Sequence, residues 1–154
     1  MSSSLTVGDF MTTALITMSA SDTVKHADVD MRLANIRHIP VVDKKGKLVG
    51  ILSNRDVLRA LGSDGSMEGI RIGDIMTKSV RTCKESTPAG KAAETMMNHK
   101  IGALPVVGES GQLVGLVTES DFVQIVYDTL SAFDEDDEND GGDDGNESDD
   151  GGDD

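Results

Sequence analysis

The chain writes GILSNRD at residues 50–56 and, at an offset of 65 residues, GLVTESD at residues 115–121. Each stretch runs from a glycine through apolar residues to a hydroxyl side chain, with an aspartate three positions further on. The register holds outward from these stretches without a gap. GDFMT (8–12) meets GDIMT (73–77), and IRHIPVVDKKGKLVG (36–50) meets IGALPVVGESGQLVG (101–115). Between them Thr17 pairs with Thr82, Ser21 with Ser86, Ala27 with Ala92 and Met31 with Met96. Such self-similarity is the mark of a tandem duplication.

Both copies read alike. After the GDxMT opening comes a short extended segment, ending at Thr17 or Thr82, and then a helix. Val24, Ala27, Met31 and Ala34 share one helical face in the first copy, and Ala89, Ala92, Ala93 and Met96 share one in the second. Ser86 or Thr87 as cap, with Pro88 in the first turn, is expected to open the second of these helices. HIPVVD and ALPVV then lead through DKKGK and GESGQ into LVGIL and LVGLV, a hairpin in each copy. Ser53 or Thr118 closes the hairpin and starts a last helix, expected to end near Leu61 or Leu130. The fold class is therefore α/β (α+β), a βαββα order written twice. One copy alone buries too little, so the two should pack sheet to sheet as a pseudo-twofold pair. The expected boundaries are 7–62 and 72–131 for the copies, 63–71 for a linker and 134–154 for an acidic tail.

Charge separates the tail from the body. The chain has 154 residues and a formal net charge of -14. From Asp134 onward there are 13 acidic and no basic residues, which leaves 15 acidic against 14 basic residues in the rest. The body is nearly neutral, giving no electrostatic case for nucleic-acid binding, and a polyanionic tail repels phosphates. The tail has nothing with which to build a core and should be disordered, either a solvating appendage or a docking segment for a basic partner or divalent cations. Cys83 is the one cysteine, so no disulfide forms within the chain, which fits a reducing compartment. No stretch approaches the about 18 continuous apolar residues of a membrane span, and a cytoplasmic protein without membrane insertion is expected.

Catalytic patterns are missing from the sequence. His26, His38 and His99 stand in no metal-ligand spacing, and no P-loop, nucleophile elbow or dinucleotide glycine fingerprint occurs. Cys83 aligns with Met18, which reads as an apolar position. Neither an enzyme nor a metal site is expected.

The GDxMT opening, the HIPVVD and ALPVV strands, the G-[KQ]-LVG hairpin and the closing S/T-x-x-D, each present twice, resemble a tandem pair of CBS domains, the modules named after cystathionine beta-synthase. The resemblance covers residues 7 to about 130. It implies a regulatory pair that often forms homodimers, binds adenine-containing ligands (AMP, ADP or ATP, with S-adenosylmethionine behind them) in up to two clefts, and acts on an unknown protein target in trans. It also implies the site residues: Leu15, Thr17, His38, Pro40, Ser53, Arg55 and Asp56 for a first cleft, and Val80, Thr82, Ala103, Pro105, Thr118 and Asp121 for a second. Arg37, Arg81 and Lys100 are expected phosphate contacts.

A hydroxyl and a carboxylate one turn apart at a helix start suit a ribose diol, and free N–H groups there suit phosphate. The same spacing is also an ordinary cap, so a module that dimerises and docks partners without any ligand is the competing expectation. The copies differ where phosphate chemistry is decided: Arg37, His38 and Arg55 are replaced by Gly102, Ala103 and Ser120. Arginine's rigid fork of donors suits phosphate, so the first cleft is expected to take the phosphorylated ligand, although Arg81 and Lys100 bring charge to the second copy.

Overall fold

The computed structural model describes residues 4–61 and 65–139. Residues 63 and 64 of the expected linker and residues 140–154 of the expected tail lie outside them. In the first copy a short helix α1 (Val7–Phe10) precedes α2 (Val24–Ala34), strands β1 (His38–Val42) and β2 (Leu48–Ser53), and α3 (Asn54–Ala60). The second copy repeats this as α4 (Ile72–Ile75), α5 (Ala89–His99), β3 (Ala103–Val107), β4 (Leu113–Thr118) and α6 (Glu119–Asn139). Both copies, through Asp121, fall in one compact unit, and Phe122 begins a second, of which the rest of α6 is described.

Local chemistry sets these boundaries. Thr23 caps α2 by accepting the N–H of His26 at 3.2 Å. Both α2 and α5 stop at a residue in the left-handed region, Asn35 (φ 54°) and Lys100 (φ 53°), a conformation that ends helices by satisfying their last carbonyls. Val24, Ala27 and Met31 are buried on α2, as are Ala92 and Met96 on α5. Each hairpin is antiparallel with a matching bulge, between Val41 and Val42 and between Val106 and Val107. Its turn depends on a glycine at positive φ, Gly46 (80°) or Gly111 (83°).

Three expectations need correction. The extended segments before Thr17 and Thr82 do not form strands; each copy keeps one parallel bridge a residue later, Met18 to Val41 and Cys83 to Val106. Pro88 is itself the N-cap of α5, while Thr87 accepts the N–H of Lys84 at 3.0 Å and closes the preceding turn. Helix α6 does not stop near Leu130 but continues to Asn139, because helical periodicity carries no stop signal in a polar stretch free of glycine and proline.

The two copies are joined by exchange of their openings. Thr12 pairs with Leu116 through two backbone hydrogen bonds of 2.9 and 3.0 Å, and Thr77 pairs with Ile51 through bonds of 2.9 and 3.0 Å. Thus the GDxMT segment of each copy extends the sheet of the other. Ile72, at the start of α4, belongs to the hydrophobic cluster of the first copy with Met18, Val24, Ile39, Val41 and Leu52. Val7 holds the equivalent place in α1 and is fully buried, its N–H bonded to Thr87 at 2.9 Å. The hairpin tips also meet, with Leu48 N–H on Gly111 and Leu113 N–H on Gly46, both at 3.1 Å.

Candidate nucleotide-binding cavity

At the end of β2, Ser53 Oγ accepts the N–H of Asp56 at 3.0 Å while Asp56 Oδ2 accepts the N–H of Ser53 at 2.9 Å. This reciprocal capping box fixes the first turn of α3. It leaves the Ser53 hydroxyl proton unspent, and Asp56 Oδ1 makes no hydrogen bond among the described residues. The next N–H, of Asn54, donates to the carbonyl of Arg37 at 2.8 Å and holds the approach to β1 against the helix start.

The exchange of openings decides what faces this turn. Because Thr77 pairs with Ile51, the backbone after it brings Ser79, Val80 and Arg81 from the second copy beside Ser53 and Asp56 from the first. Together they line a cavity of about 770 Å³. Arg37, His38, Arg55 and Arg59 join it from the first copy, and Lys100, Ala103 and Glu119 from the second. Five of its lining residues carry permanent positive charge, namely Arg37, Arg55, Arg59, Arg81 and Lys100, against two carboxylates, Asp56 and Glu119. Ile51, Val80, Ile101 and Ala103 supply apolar wall.

The grouping differs from the one expected. Val80 and Ala103, assigned to the second cleft, share a cavity with Ser53 and Asp56, as do Arg81 and Lys100. Leu15, Thr17, Thr82, Thr118 and Asp121 are not among its lining residues, and Pro40 and Pro105 are fully buried in their strands. The opening that carries Thr12 pairs instead beside Asp121. There Thr118 N–H donates to Asp121 Oδ2 at 2.8 Å, and the hydroxyls of Thr118 and Thr12 donate to Oδ2 and Oδ1 at 3.4 and 3.2 Å. Both oxygens of Asp121 are therefore engaged, in contrast to Asp56.

His38 sits where the copies meet. A Cβ on Gly102 would lie 3.1 Å from His38 Cε1 and 3.8 Å from the Glu119 carboxyl carbon, so a side chain there, the counterpart of Arg37, would crowd the imidazole. Burial holds the His38 imidazole below its ordinary pKa; Glu119 and Asp56 act in the opposite sense, and Arg37 adds to the lowering. Burial likewise pushes the Cys83 thiol up to about 11. Among the described residues no group of His, Cys, Asp and Glu is arranged to hold a metal ion, and no helix is long and apolar enough to cross a membrane.

Arg59 and Glu119 were not singled out from the sequence. Arg59 follows Asp56 by three positions and shares its side of α3, a signal available from helical spacing. Glu119 and Ser79 reach the cavity only through the pairing of the two copies, which no within-copy pattern records.

Comparison with known proteins places the molecule. The CBS domain family matches residues 7–63 and 72–128, and the chain belongs to that family. Its backbone is similar to the CBS domain pair of protein MJ0100 in complex with 5′-methylthioadenosine and S-adenosyl-L-methionine, with a TM-score of 0.75 and 31% identity, covering 82% of this chain and 99% of that one. It is similar also to CBSX2 of Arabidopsis thaliana, whose complex with AMP gives a TM-score of 0.74 and 28% identity over 81% of this chain and 98% of that one. Among curated relatives, a homoserine O-acetyltransferase of Methanococcus vannielii is 33% identical over 120 residues, 78% of this chain. The match spans 24% of that relative's length.

Proposed function

We propose that the protein is a non-catalytic regulatory module that binds a phosphorylated adenosine ligand, AMP, ADP or ATP, and modulates a partner in trans. The observation that carries this reading is the set of five cationic side chains, drawn from both copies, around the half-spent Ser53–Asp56 cap. In this arrangement Asp56 Oδ1 accepts a ribose hydroxyl, the Ser53 hydroxyl donates, and Ile51, Val80, Ile101 and Ala103 flank the base. The arginines and Lys100 meet the phosphate, with guanidinium forks giving paired donors. The apolar wall with a few polar fixings is the usual make-up of such a pocket.

The complexes of MJ0100 and CBSX2 support an adenosine-based ligand. They leave two charge types to choose between. A sulfonium ligand would place a cation among five others, whereas a phosphate is drawn to them, which favours the nucleotide over S-adenosylmethionine. Calorimetric titration of the full chain with AMP, ATP, adenosine and S-adenosylmethionine at two salt concentrations tests the reading. Binding of AMP or ATP that weakens with salt, with adenosine much weaker, is expected. Preference for S-adenosylmethionine, or no binding at all, would overturn it.

A further inference from the structure

The register that places His38 at the head of β1 places Ala103 at the head of β3, so an imidazole enters the cavity from one copy alone. His38 pairs with Ser53 across the first hairpin, and residues opposite one another in an antiparallel ladder send their side chains to the same face. The ring therefore stands on the side of the sheet that carries the Ser53–Asp56 cap, and all three residues line the cavity. The second copy sets its far edge. The point where a Cβ of Gly102 would stand is 3.1 Å from His38 Cε1, 3.5 Å from Nε2 and 3.8 Å from the Glu119 carboxyl carbon. Among the described residues the ring nitrogens are engaged in no hydrogen bond.

The charges around the ring are mixed. Glu119 at the start of α6 and Asp56 in α3 favour its charged form, and Arg37, its chain neighbour, opposes it. Arg55 and Arg59 from α3, Arg81 from the second copy's opening, and Lys100 and His99 from the end of α5 line the same cavity. The arginines and the lysine are permanent cations, so the histidines alone are the type of side chain that ordinarily changes charge between about pH 5 and pH 8.

We propose that His38 makes phosphate binding in this cavity proton-sensitive, so that the module responds to pH as well as to nucleotide. This rests on the reading of the cavity as a phosphate site. A neutral imidazole offers one donor and leaves Glu119 to repel the phosphate; a protonated one offers two donors, offsets Glu119 and adds a sixth cation. Burial weakens the ring's hold on a proton, and a phosphate set beside it strengthens that hold. Proton and phosphate therefore favour each other reciprocally. Affinity rises as pH falls through the titration of the bound state and levels off below that of the free protein.

The test is calorimetric titration of the full chain and of His38→Gln with AMP at about pH 7.5 and about pH 5.5. The phosphate's own ionisation, at about pH 6, is common to both proteins, so the ratio of their affinities isolates the histidine. That ratio is expected to move at least about twofold in favour of the wild type on acidification. A constant ratio, with AMP bound throughout, would overturn this inference and leave the nucleotide reading standing; no binding at either pH would overturn both. His99→Gln should keep the wild-type response, and loss of the response there instead would move the effect to the other histidine and overturn the assignment. Should His38→Gln not fold, the His38 imidazole shifts of the native chain, titrated with and without AMP, serve in its place, and an unchanged midpoint would overturn the proposal.

Discussion

Met11 lies against Gly115 so closely that a Cβ on that glycine would sit 2.6 Å from the Met11 sulfur, and Met76 lies against Gly50 at the same 2.6 Å. The methionine of each GDxMT thus fits the glycine of the other copy's LVG, which accounts for two motifs as the halves of one contact. A backbone carbonyl backs each contact, Thr12 O at 3.2 Å and Thr77 O at 3.0 Å. Gly50→Ala and Gly115→Ala are therefore expected to cost about 1–3 kcal/mol by overpacking. Urea unfolding of each variant measures this, and a cost below about 0.5 kcal/mol would contradict the lock.

The contrast between Asp56 and Asp121 predicts unequal consequences of the same change. Asp56→Asn removes the acceptor left open to the cavity and is expected to weaken AMP binding at least about tenfold. Asp121→Asn alters a carboxylate already held by Thr12 and Thr118, and affinity should change little. Calorimetric titration of both variants decides, and equal losses would mean that two equivalent sites operate.

Arg81 belongs to the second copy by sequence and to the first copy's cavity by structure. Arg81→Ala should therefore weaken AMP binding about as much as Arg37→Ala, and both variants should flatten its salt dependence. Unchanged affinity in Arg81→Ala would remove the second copy from phosphate binding.

His38 titrates below its ordinary value because it is buried. The unfolded chain then binds the proton more readily than the folded one, so stability is intact above the unfolded pKa of about 6.5 and falls as pH drops through that value toward the lower folded one. Replacing His38 with glutamine should flatten the stability curve below about pH 6.5, measured by urea midpoints. A phosphate beside the imidazole favours its charged form, so AMP binding should raise the His38 pKa, as read from its imidazole NMR shifts.

Cys83, with its thiol pushed up to about 11 by burial, should resist thiol reagents at pH 8 until the protein unfolds. Rapid labelling of the native chain would contradict its place in the core.

Much of this architecture was legible because each copy repeats the same local chemistry. The hairpins follow from apolar runs flanking Gly46 and Gly111, and α2 and α5 follow from the spacing of Ala27 and Met31, and of Ala92 and Met96. The crossed pairing of Thr12 with Leu116 and Thr77 with Ile51 was not legible, since both partners read as complete within their own copy. That one omission explains the expected grouping of Val80 with Thr118. The capping role of Ser53 and Asp56 and their cavity position also proved compatible, because a capping box consumes only one oxygen of the aspartate. Charge, by contrast, could be read in advance: Arg37, Arg55, Arg81 and Lys100 were all named, and folding gathers them around one cavity.

The most direct test is thermal unfolding of the full chain with AMP, ADP, ATP, S-adenosylmethionine or no ligand, repeated for Asp56→Ala and Asp121→Ala. A ligand at a hundredfold its dissociation constant adds about 2.7 kcal/mol, a shift of several degrees in a domain of this size. We expect that shift with the phosphorylated ligands, lost in Asp56→Ala and kept in Asp121→Ala. No shift from any ligand, or a shift lost only in Asp121→Ala, would contradict a nucleotide cavity centred on Asp56.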